Sequence, residues 1–276
     1  MTPYGSLVAS GLALSLTMTG AWWIATKSGK SGWIDAIWSF AVGICGAVPA
    51  LASFGGAGLT DRQLLVAGLA LLWSLRLGIH IAVRTARSDQ DDPRYAQFRR
   101  EWGTAYRPRL FWFLQIQAAT AFALVLSMMA AAHNPAPGLG AQDWAGILLL
   151  LVAVAGEAVA DRQLVSFRSD PANKGKVCDA GLWRLSRHPN YFFEWLGWLA
   201  YPVIAVDLAG GYAWGWAALV GPALMYWLLV HVSGVPPLEA HMLRSRGERF
   251  RRYQEQTNSF WPGPPRITTN LQRNRS

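Results

Sequence analysis

Long apolar stretches constrain the fold of this 276-residue chain more than any other feature of its sequence. A helix needs about 20 mostly apolar residues to cross roughly 30 Å of hydrocarbon. Such stretches predict seven spans, at 5–25, 34–54, 63–83, 111–132, 144–162, 191–207 and 212–232. Apolar residues make up 52% of the chain and charged residues only 15%, which is not the composition of an ordinary soluble domain. We therefore predict an all-α, polytopic integral membrane protein with seven transmembrane helices.

The net charge of +9 is distributed in the pattern that sets membrane topology. Of the 25 Lys and Arg residues, 23 lie in the loops after spans one, three and five or in the segment after span seven. The alternate loops hold only Arg62. This positive-inside pattern predicts an outside N-terminus and a cytoplasmic C-terminus. The positive charge is therefore a topology signal, and we expect no nucleic-acid partner.

The chain shows no internal repeat, and its composition first changes to that of a linker after Pro262. We predict one membrane domain over 1–262 and a short polar cytoplasmic tail over 263–276. The predicted outside loops, 133–143 and 207–211, are short. Any chemistry is therefore expected in the membrane or on the cytoplasmic side.

Common signatures of metal and nucleotide sites are missing from the sequence. The five histidines lack HExxH or facial-triad spacing, and Cys45 and Cys178 belong to no CxxC pair, so we expect no metal and no disulfide framework. There is no GxGxxG, no GxxxxGK[ST] and no nucleophile-elbow serine. Segments 88–109 and 244–256 mix aromatic and charged residues at helical spacing, which predicts amphipathic pieces at the interface with membrane lipids.

Ionisable residues within spans are costly, by about 2.5–3.5 kcal/mol each on insertion scales, so each one is a candidate for function. They are Asp35 in span two, Arg76, His80 and Arg84 at i, i+4 and i+8 along span three, Glu157 and Asp161 in span five, and Glu194 one turn beyond Asn190 in span six. Any single one could be a buried polar group that joins helices. The predicted topology brings most of them to cytoplasmic helix ends, which predicts one polar chamber open to the cytosol. Arginines bind phosphate and carboxylates accept from ribose hydroxyls, so the chamber suits a nucleotide cofactor.

The most specific motif is the run from Glu157 to Glu194. Its spaced elements are Glu157, Asp161, Arg168, the Gly-Leu-Trp turn at 181–183, Pro189, Asn190 and Glu194. This pattern resembles the C-terminal half of the steroid 5α-reductase family (3-oxo-5α-steroid 4-dehydrogenases), and most closely the bacterial members that carry a domain-of-unknown-function label. Glu157 departs from the pattern, since steroid-reducing relatives have asparagine there.

The resemblance extends more weakly to other parts of the chain. DAIWSF at 35–40 is similar to the second-helix motif, but Asp35-Ala36 replaces a Gln-Glu pair that addresses the substrate carbonyl. WSLR at 73–76 is similar to the third-helix segment, with Trp73 in place of a catalytic tyrosine. SGVPPLEAHM at 233–242 and RRYQEQTNSFWP at 251–262 complete the C-terminal signature of the bacterial group.

The resemblance implies a seven-helix enzyme of the bacterial inner membrane that holds NADPH in a cytoplasm-facing cavity. It would reduce the carbon–carbon double bond of a lipid enone entering from the bilayer, with a Δ4-3-ketosteroid as the family's characteristic substrate. Hydride attack at the β-carbon needs a donor at the carbonyl oxygen. Asp35, held protonated at the apolar edge of a helix, is the candidate acid. Trp38 and Trp73 would line the lipid slot and donate through their indole N–H groups.

For the cofactor, the resemblance carries over Asp161, Asn190 and Glu194 as hydrogen-bonding residues and Arg168 as a phosphate ligand. Further candidates follow from charge, from position or from a less specific match to the family: Arg76, His80, Arg84, Glu157, Arg184, Arg187, His188 and Tyr191.

Two other functions fit parts of the sequence. An RHPNY core followed by glutamate also occurs in isoprenylcysteine carboxyl and phospholipid methyltransferases, where it serves S-adenosylmethionine. Those enzymes typically have fewer spans and lack the acidic and basic set of 157–168. A transporter or lipid-binding scaffold is the non-enzyme alternative, although transporters often show repeated halves with broken spans, and the two halves here are unlike.

Overall fold

The structure is a computed structural model that describes residues 2–53, 58–88 and 91–266. All regular secondary structure in these ranges is helical, as predicted. The α-helices are α1 (Pro3–Ser28), α2 (Trp33–Ala50), α3 (Asp61–Ala86), α4 (Pro93–Trp102), α5 (Tyr106–Ala132), α6 (Ala141–Ser169), α7 (Leu182–Leu185), α8 (Pro189–Trp198), α9 (Ala200–Ala205), α10 (Val220–Trp227), α11 (Val235–Arg246) and α12 (Glu248–Gln256). Short 3₁₀ helices lie at Gly103–Ala105, Pro171–Asn173 and Ala213–Leu219, and a π-helix at Leu228–Val232. Position 54 of the second predicted span, 89–90 of the first amphipathic segment and 267–276 of the predicted tail lie outside the described residues.

Six segments of the described chain are long and apolar enough to cross a membrane, which supports an integral membrane protein. They are Pro3–Ser28, Trp33–Ala50, Asp61–Ala86, Pro93–Ala132, Ala141–Ser169 and Ala213–Arg246. On α1, the side chains of Val8, Leu12 and Leu16 are 62%, 63% and 72% exposed on the protein. They recur every four residues and form one apolar stripe, which hydrocarbon would cover.

The predicted sixth span, 191–207, is not one continuous helix. α8 ends at Trp198, and α9 starts at Ala200 after a break at Leu199. Pro202 explains the break, because it has no N–H to bond the Trp198 carbonyl and its ring crowds that carbonyl. Neither piece is long enough to span a membrane alone. The seventh span and the outside N-terminus therefore stay predictions.

The chain divides into two compact units, each made from two separate stretches. Unit 1 comprises Met1–Leu148 and Leu199–Leu224, and unit 2 comprises Leu149–Trp198 and Met225–Ser276. The single domain expected over 1–262 stays a prediction.

In unit 1, α2 packs against α1, α3 and α5. Small residues on α2 permit the close approach to α3: a Cβ atom on Gly43 would lie only 2.1 Å from the Cβ of Ser74. The Ser74 hydroxyl donates a 2.8 Å hydrogen bond to the carbonyl of Ser39. Small residues and hydroxyl bonds are the usual means of joining helices in a membrane, where apolar contact alone gives little preference for protein over lipid.

Arg62 of unit 1 lies in the first turn of α3 and is only 5% exposed. Its Nε and Nη2 donate to the two carboxylate oxygens of Asp143, at 2.7 and 2.8 Å. Its remaining N–H groups donate to the carbonyls of Asn134, Ala136 and Gly138. All five donors of this guanidinium are therefore satisfied by fixed protein acceptors. The residue that the sequence placed in an outside loop is a buried tie between α3, α6 and the loop before α6.

Candidate functional site

The Gly-Leu-Trp turn of unit 2 is held against α6 by hydrogen bonds. Gly181 has φ +59°, a backbone conformation that L side chains rarely adopt, which favours glycine here; a Cβ would also lie 2.6 Å from Nε2 of Gln163 and displace that side chain. The Gln163 side-chain oxygen accepts from the Leu182 amide at 2.9 Å. The indole N–H of Trp183 donates to the carbonyl of Ala160, also at 2.9 Å. This docking fixes where the chain enters α8.

α6 and α8 run antiparallel and in close contact. The Asn190 Nδ2 lies 3.5 Å from Oδ1 of Asp161. Further along, a Cβ on Gly156 would fall 2.4 Å from the ring of Phe193, and one on Gly197 would lie 3.4 Å from Ala153. The two parts of the predicted cofactor motif, one on each helix, are thus adjacent in unit 2.

The same register places Glu157 level with Glu194. Both acids are nearly buried, at 6% and 7% exposure. Glu194 accepts a 3.0 Å hydrogen bond from the indole of Trp198. Two of the predicted cofactor arginines, Arg168 at the end of α6 and Arg184 on α7, are exposed. The arrangement therefore offers hydrogen-bonding groups on the facing helices and cations on the adjoining surface.

Glu239 on α11 is a centre of polar contacts that the sequence analysis did not single out. Its Oε1 accepts from Nε of Arg187 at 2.7 Å and lies 2.9 Å from Nε2 of His188. Its Oε2 accepts from Nη2 of Arg187 at 3.2 Å and from Nε2 of Gln254 at 2.6 Å. The carboxylate therefore joins the loop before α8 to α11 and α12. Glu239 belongs to the motif at 233–242, but nothing in the sequence identifies its hydrogen-bonding partners.

Arg187 makes further bonds within unit 2. Its Nη1 donates to the carbonyls of Gln254 and Thr257, and its backbone N–H donates to the carbonyl of Asn258 at 2.8 Å. Four of the five guanidinium donors thus bond protein acceptors. This geometry gives Arg187 a structural role and does not favour the predicted one as a phosphate ligand.

His188 is buried beside this ion pair, with only 3% of its surface exposed. Its ring stacks on Tyr191, with centroids 5.4 Å apart and planes 9° from parallel. Burial lowers the pKa of His188 below its ordinary value, although the bond and charge of Glu239 act in the opposite direction. The Nδ1 atom is buried and has no hydrogen-bond partner among the residues that the structure describes.

An aromatic cluster fastens the end of the described chain to α8 in unit 2. Trp195 packs edge-to-face on Trp261 at a centroid distance of 5.0 Å, and Phe192 packs on Phe260 at 5.8 Å. The hydroxyl of Ser186 donates to the Phe260 carbonyl at 2.9 Å. The segment at 251–262, singled out in the sequence for its motif, therefore closes one side of the α7–α8 region.

The predicted acid, Asp35, lies on α2 in unit 1 and is an acceptor in this structure. Arg94 on α4 forms an ion pair with Oδ2, and the hydroxyl of Tyr95 donates to Oδ1 at 3.2 Å. Asp92 also accepts from Arg94, at 3.1 Å. Burial would raise the pKa of Asp92, but the hydrogen bonds and charge of Arg94 reverse this and lower it. Asp35 thus accepts from Arg94 and Tyr95 in this structure, and its role as the acid stays a prediction.

Tyr95 is the residue that sequence reasoning missed at this position. It is only 1% exposed and carries a hydroxyl proton in contact with the Asp35 carboxylate. No local pattern distinguishes Tyr95, because it lies in a charged amphipathic segment 60 residues from Asp35.

The remaining predicted residues of unit 1 lie on α2 and α3. Trp38 packs edge-to-face on buried Trp73, with centroids 6.4 Å apart, and its indole donates to the Gln117 carbonyl at 3.2 Å. The indole of Trp38 is thus already used within the protein. On α3, three predicted cofactor residues follow one another at four-residue intervals: Arg76 and His80 are half-buried and Arg84 is exposed.

No three His, Cys, Asp or Glu side chains within the described ranges are grouped so as to hold a metal ion. Cys45 and Cys178 are both free thiols. In a comparison with known protein families, the family described as "Protein of unknown function (DUF1295)" matches residues 21–257. No curated protein and no solved structure matches the chain.

Proposed function

The chain belongs to the DUF1295 family, and we propose that it is an NADPH-dependent membrane reductase acting on the carbon–carbon double bond of a lipid enone. A Δ4-3-ketosteroid, reduced to its 5α-dihydro product, is the first substrate to test. The contact between Asn190 and Asp161 carries the proposal, because it joins the two parts of the motif that resembles steroid 5α-reductases. We place the protein in the bacterial inner membrane, with its cofactor taken from the cytoplasm.

The proposed cofactor residues lie on α6, α7 and α8 of unit 2. Asp161, Asn190 and Glu194 offer hydrogen bonds to the hydroxyl and amide groups of a nucleotide. Arg168 and Arg184 are exposed cations suited to phosphate, which a guanidinium binds through two parallel hydrogen bonds. Bound NADPH would supply the hydride for the β-carbon of the enone.

The protein's own contribution to the chemistry is a proton donor at the enone oxygen. We propose Tyr95 for this role, in place of Asp35 alone. Its hydroxyl is neutral and buried, and it contacts the Asp35 carboxylate, which Arg94 holds by an ion pair. With an enone bound, the Tyr95 hydroxyl would turn from Asp35 to the carbonyl oxygen and give it a proton as negative charge develops there. The resulting enol then gains a proton at the α-carbon from water to complete the saturated ketone, and Tyr95 regains its proton as the enol oxygen releases one.

A methyltransferase that uses S-adenosylmethionine is the second candidate, and one observation favours it. The described chain has six candidate spans, one fewer than expected. These methyltransferases typically have fewer than seven spans, so a count of six separates this chain from them less clearly. The upstream set of Glu157, Asp161 and Arg168 still supports the reductase.

Ligand titration and a turnover assay test the proposal. Thermal unfolding of the purified protein should shift upward with NADPH and stay unchanged with S-adenosylmethionine, since only a ligand that binds the folded state stabilises it. Incubation with NADPH and progesterone or testosterone should give a product two mass units heavier, about 2 Da for the added hydrogens of one reduced double bond. Stabilisation by S-adenosylmethionine alone would replace the reductase with the methyltransferase. Retention of NADPH binding in both Arg168→Ala and Asn190→Ala would instead remove these residues from the cofactor site.

A further inference from the structure

The bonding around His188 fixes which of its nitrogens carries the proton. Glu239 is in a two-point ion pair with Arg187, so its carboxylate is charged and can only accept hydrogen bonds. The Nε2 atom of His188 lies 2.9 Å from this carboxylate and must therefore be the protonated nitrogen. In a neutral imidazole the other nitrogen, Nδ1, is then an acceptor with an available lone pair.

This acceptor has no partner of its own. Nδ1 is buried, and no described residue donates to it. A buried polar atom without a hydrogen bond is unfavourable, and such atoms are few in folded proteins. The bond to Glu239 and the stacking of Tyr191 hold the ring in this orientation. Tyr191 covers one face of the imidazole and is itself half-buried, whereas the Nδ1 lone pair points outward in the plane of the ring.

We propose that Nδ1 of His188 accepts a hydrogen bond from an O–H or N–H group of the bound cofactor, and that Glu239 is the positioning residue that sets this tautomer. His188 immediately precedes α8, whose Asn190 faces Asp161. The ligand donor is a ribose hydroxyl or a carboxamide N–H, the neutral donors that a nicotinamide dinucleotide carries. The identity of the cofactor in this inference rests on the proposed function. The tautomer of His188 follows from its contact with Glu239 alone.

Two substitutions of His188 distinguish the role of its Nδ1 atom from that of its Nε2 atom. In His188→Gln, the amide nitrogen occupies the position of Nε2 and can still donate to Glu239, while the acceptor at Nδ1 is lost. In His188→Asn, the side-chain oxygen can occupy the position of Nδ1, while the bond to Glu239 is lost. Exposed His241 on α11 provides the matched control, His241→Gln.

Binding of NADPH to the detergent-purified, full-length protein tests the acceptor. We expect His188→Gln to keep its unfolding temperature and to raise the Kd for NADPH about tenfold, the effect of one lost hydrogen bond. His188→Asn should bind with an intermediate Kd, and His241→Gln should bind like the wild type. A Kd for His188→Gln equal to that of the wild type would overturn the inference. Failure of the wild type to bind NADPH would instead overturn the proposed function.

Nitrogen-15 spectra of the histidine rings test the tautomer, first in the ligand-free wild type and then with NADPH and in a Glu239 variant. Wild-type His188 should show a protonated Nε2 and an unprotonated Nδ1, and the Nδ1 resonance should shift when NADPH saturates the protein. Glu239→Gln should mix the two tautomers, because an amide can donate as well as accept. A protonated Nδ1 in the ligand-free wild type, or an Nδ1 resonance unmoved by bound NADPH, would contradict the proposal.

Discussion

Arg187 and Glu239 form a two-point ion pair, with Nε 2.7 Å from Oε1 and Nη2 3.2 Å from Oε2. The pair joins residues 52 positions apart and fixes the loop before α8 to α11. Both side chains are largely shielded from water, at 11% and 13% exposure, so the pair is only weakly screened.

Removing one member of this pair should destabilise unit 2. Arg187→Met leaves the Glu239 carboxylate without its cation, and the loss from a buried pair is about 3 kcal/mol. We expect a fall in the thermal unfolding temperature of detergent-purified protein. Arg184→Met, on exposed Arg184 three residues earlier, is the control and should unfold like the wild type. Equal unfolding temperatures for the two variants would show that the ion pair contributes little.

Stability should also depend on pH through His188. Burial lowers the pKa of His188 in the folded protein, so the unfolded chain, with an ordinary histidine pKa of about 6.5, takes up a proton first as the pH falls. The contribution of neutral His188 is therefore complete above about pH 6.5 and declines as the pH falls below that value. Unfolding temperatures measured from pH 7.5 to 5.5 should fall less steeply in His188→Gln. Parallel curves for the variant and the wild type would contradict this assignment.

The Arg62 network predicts a large effect in unit 1. Arg62→Met should cost about 3–5 kcal/mol, because it leaves the Asp143 carboxylate buried without a counter-charge. The double variant Arg62→Met/Asp143→Leu should recover part of that loss, since it removes the stranded charge. Thermal unfolding of the two variants measures both effects, with exposed Arg100→Met as the control. A double variant less stable than Arg62→Met alone would contradict the charge explanation.

The proposed acid makes a prediction for turnover. Tyr95→Phe removes only the hydroxyl that contacts Asp35, and should lower the rate of enone reduction by about 100-fold or more, the usual contribution of an acid catalyst. The Kd for NADPH should stay unchanged. Tyr106→Phe, at another buried tyrosine of unit 1, controls for loss of a buried hydroxyl. Undiminished turnover in Tyr95→Phe would remove Tyr95 from the mechanism, and the same result in Asp35→Asn would remove Asp35.

The facing pair on α6 and α8 should control cofactor affinity. Asn190→Ala and Asp161→Ala are each expected to raise the Kd for NADPH about tenfold, as a lost ligand hydrogen bond would. Arg168→Ala should weaken the binding of NADPH more than that of NADH, because only NADPH carries the 2′-phosphate that the guanidinium would bind. Arg162→Ala, an exposed arginine on the same helix, is the control and should leave both affinities unchanged. Titration of each variant with both cofactors distinguishes these cases.

Hydropathy predicted most of the helical architecture but could not describe its breaks. The predicted span 63–83 lies within α3, and 144–162 lies within α6. Apolar composition alone does not show that Pro202 interrupts backbone hydrogen bonding, so hydropathy predicts one continuous helix over 191–207. For the same reason, the predicted span 212–232 gave no sign of its change from 3₁₀ to α to π geometry.

The candidate site was predictable where its partners share a local motif and unpredictable where they do not. The spacing of Asp161 and Asn190 belongs to one motif, and the structure brings these two residues together. Glu239 and Tyr95 act through partners 52 and 60 residues away, and no local pattern specifies such contacts. For Asp35, the sequence shows a charged residue in a predicted span but does not show that Arg94 is its ion-pair partner.

Arg62 also sets a condition on the order in which unit 1 can be made. Its carboxylate partner, Asp143, is 81 residues further along the chain. At a synthesis rate of roughly 5–20 residues per second, Arg62 waits about 4–16 s after its own synthesis for that partner. For most of this interval none of the protein acceptors of the guanidinium exists, since the earliest, the Asn134 carbonyl, is 72 residues further along. The first turn of α3 can therefore take up its buried position only after the start of α6 has been synthesised.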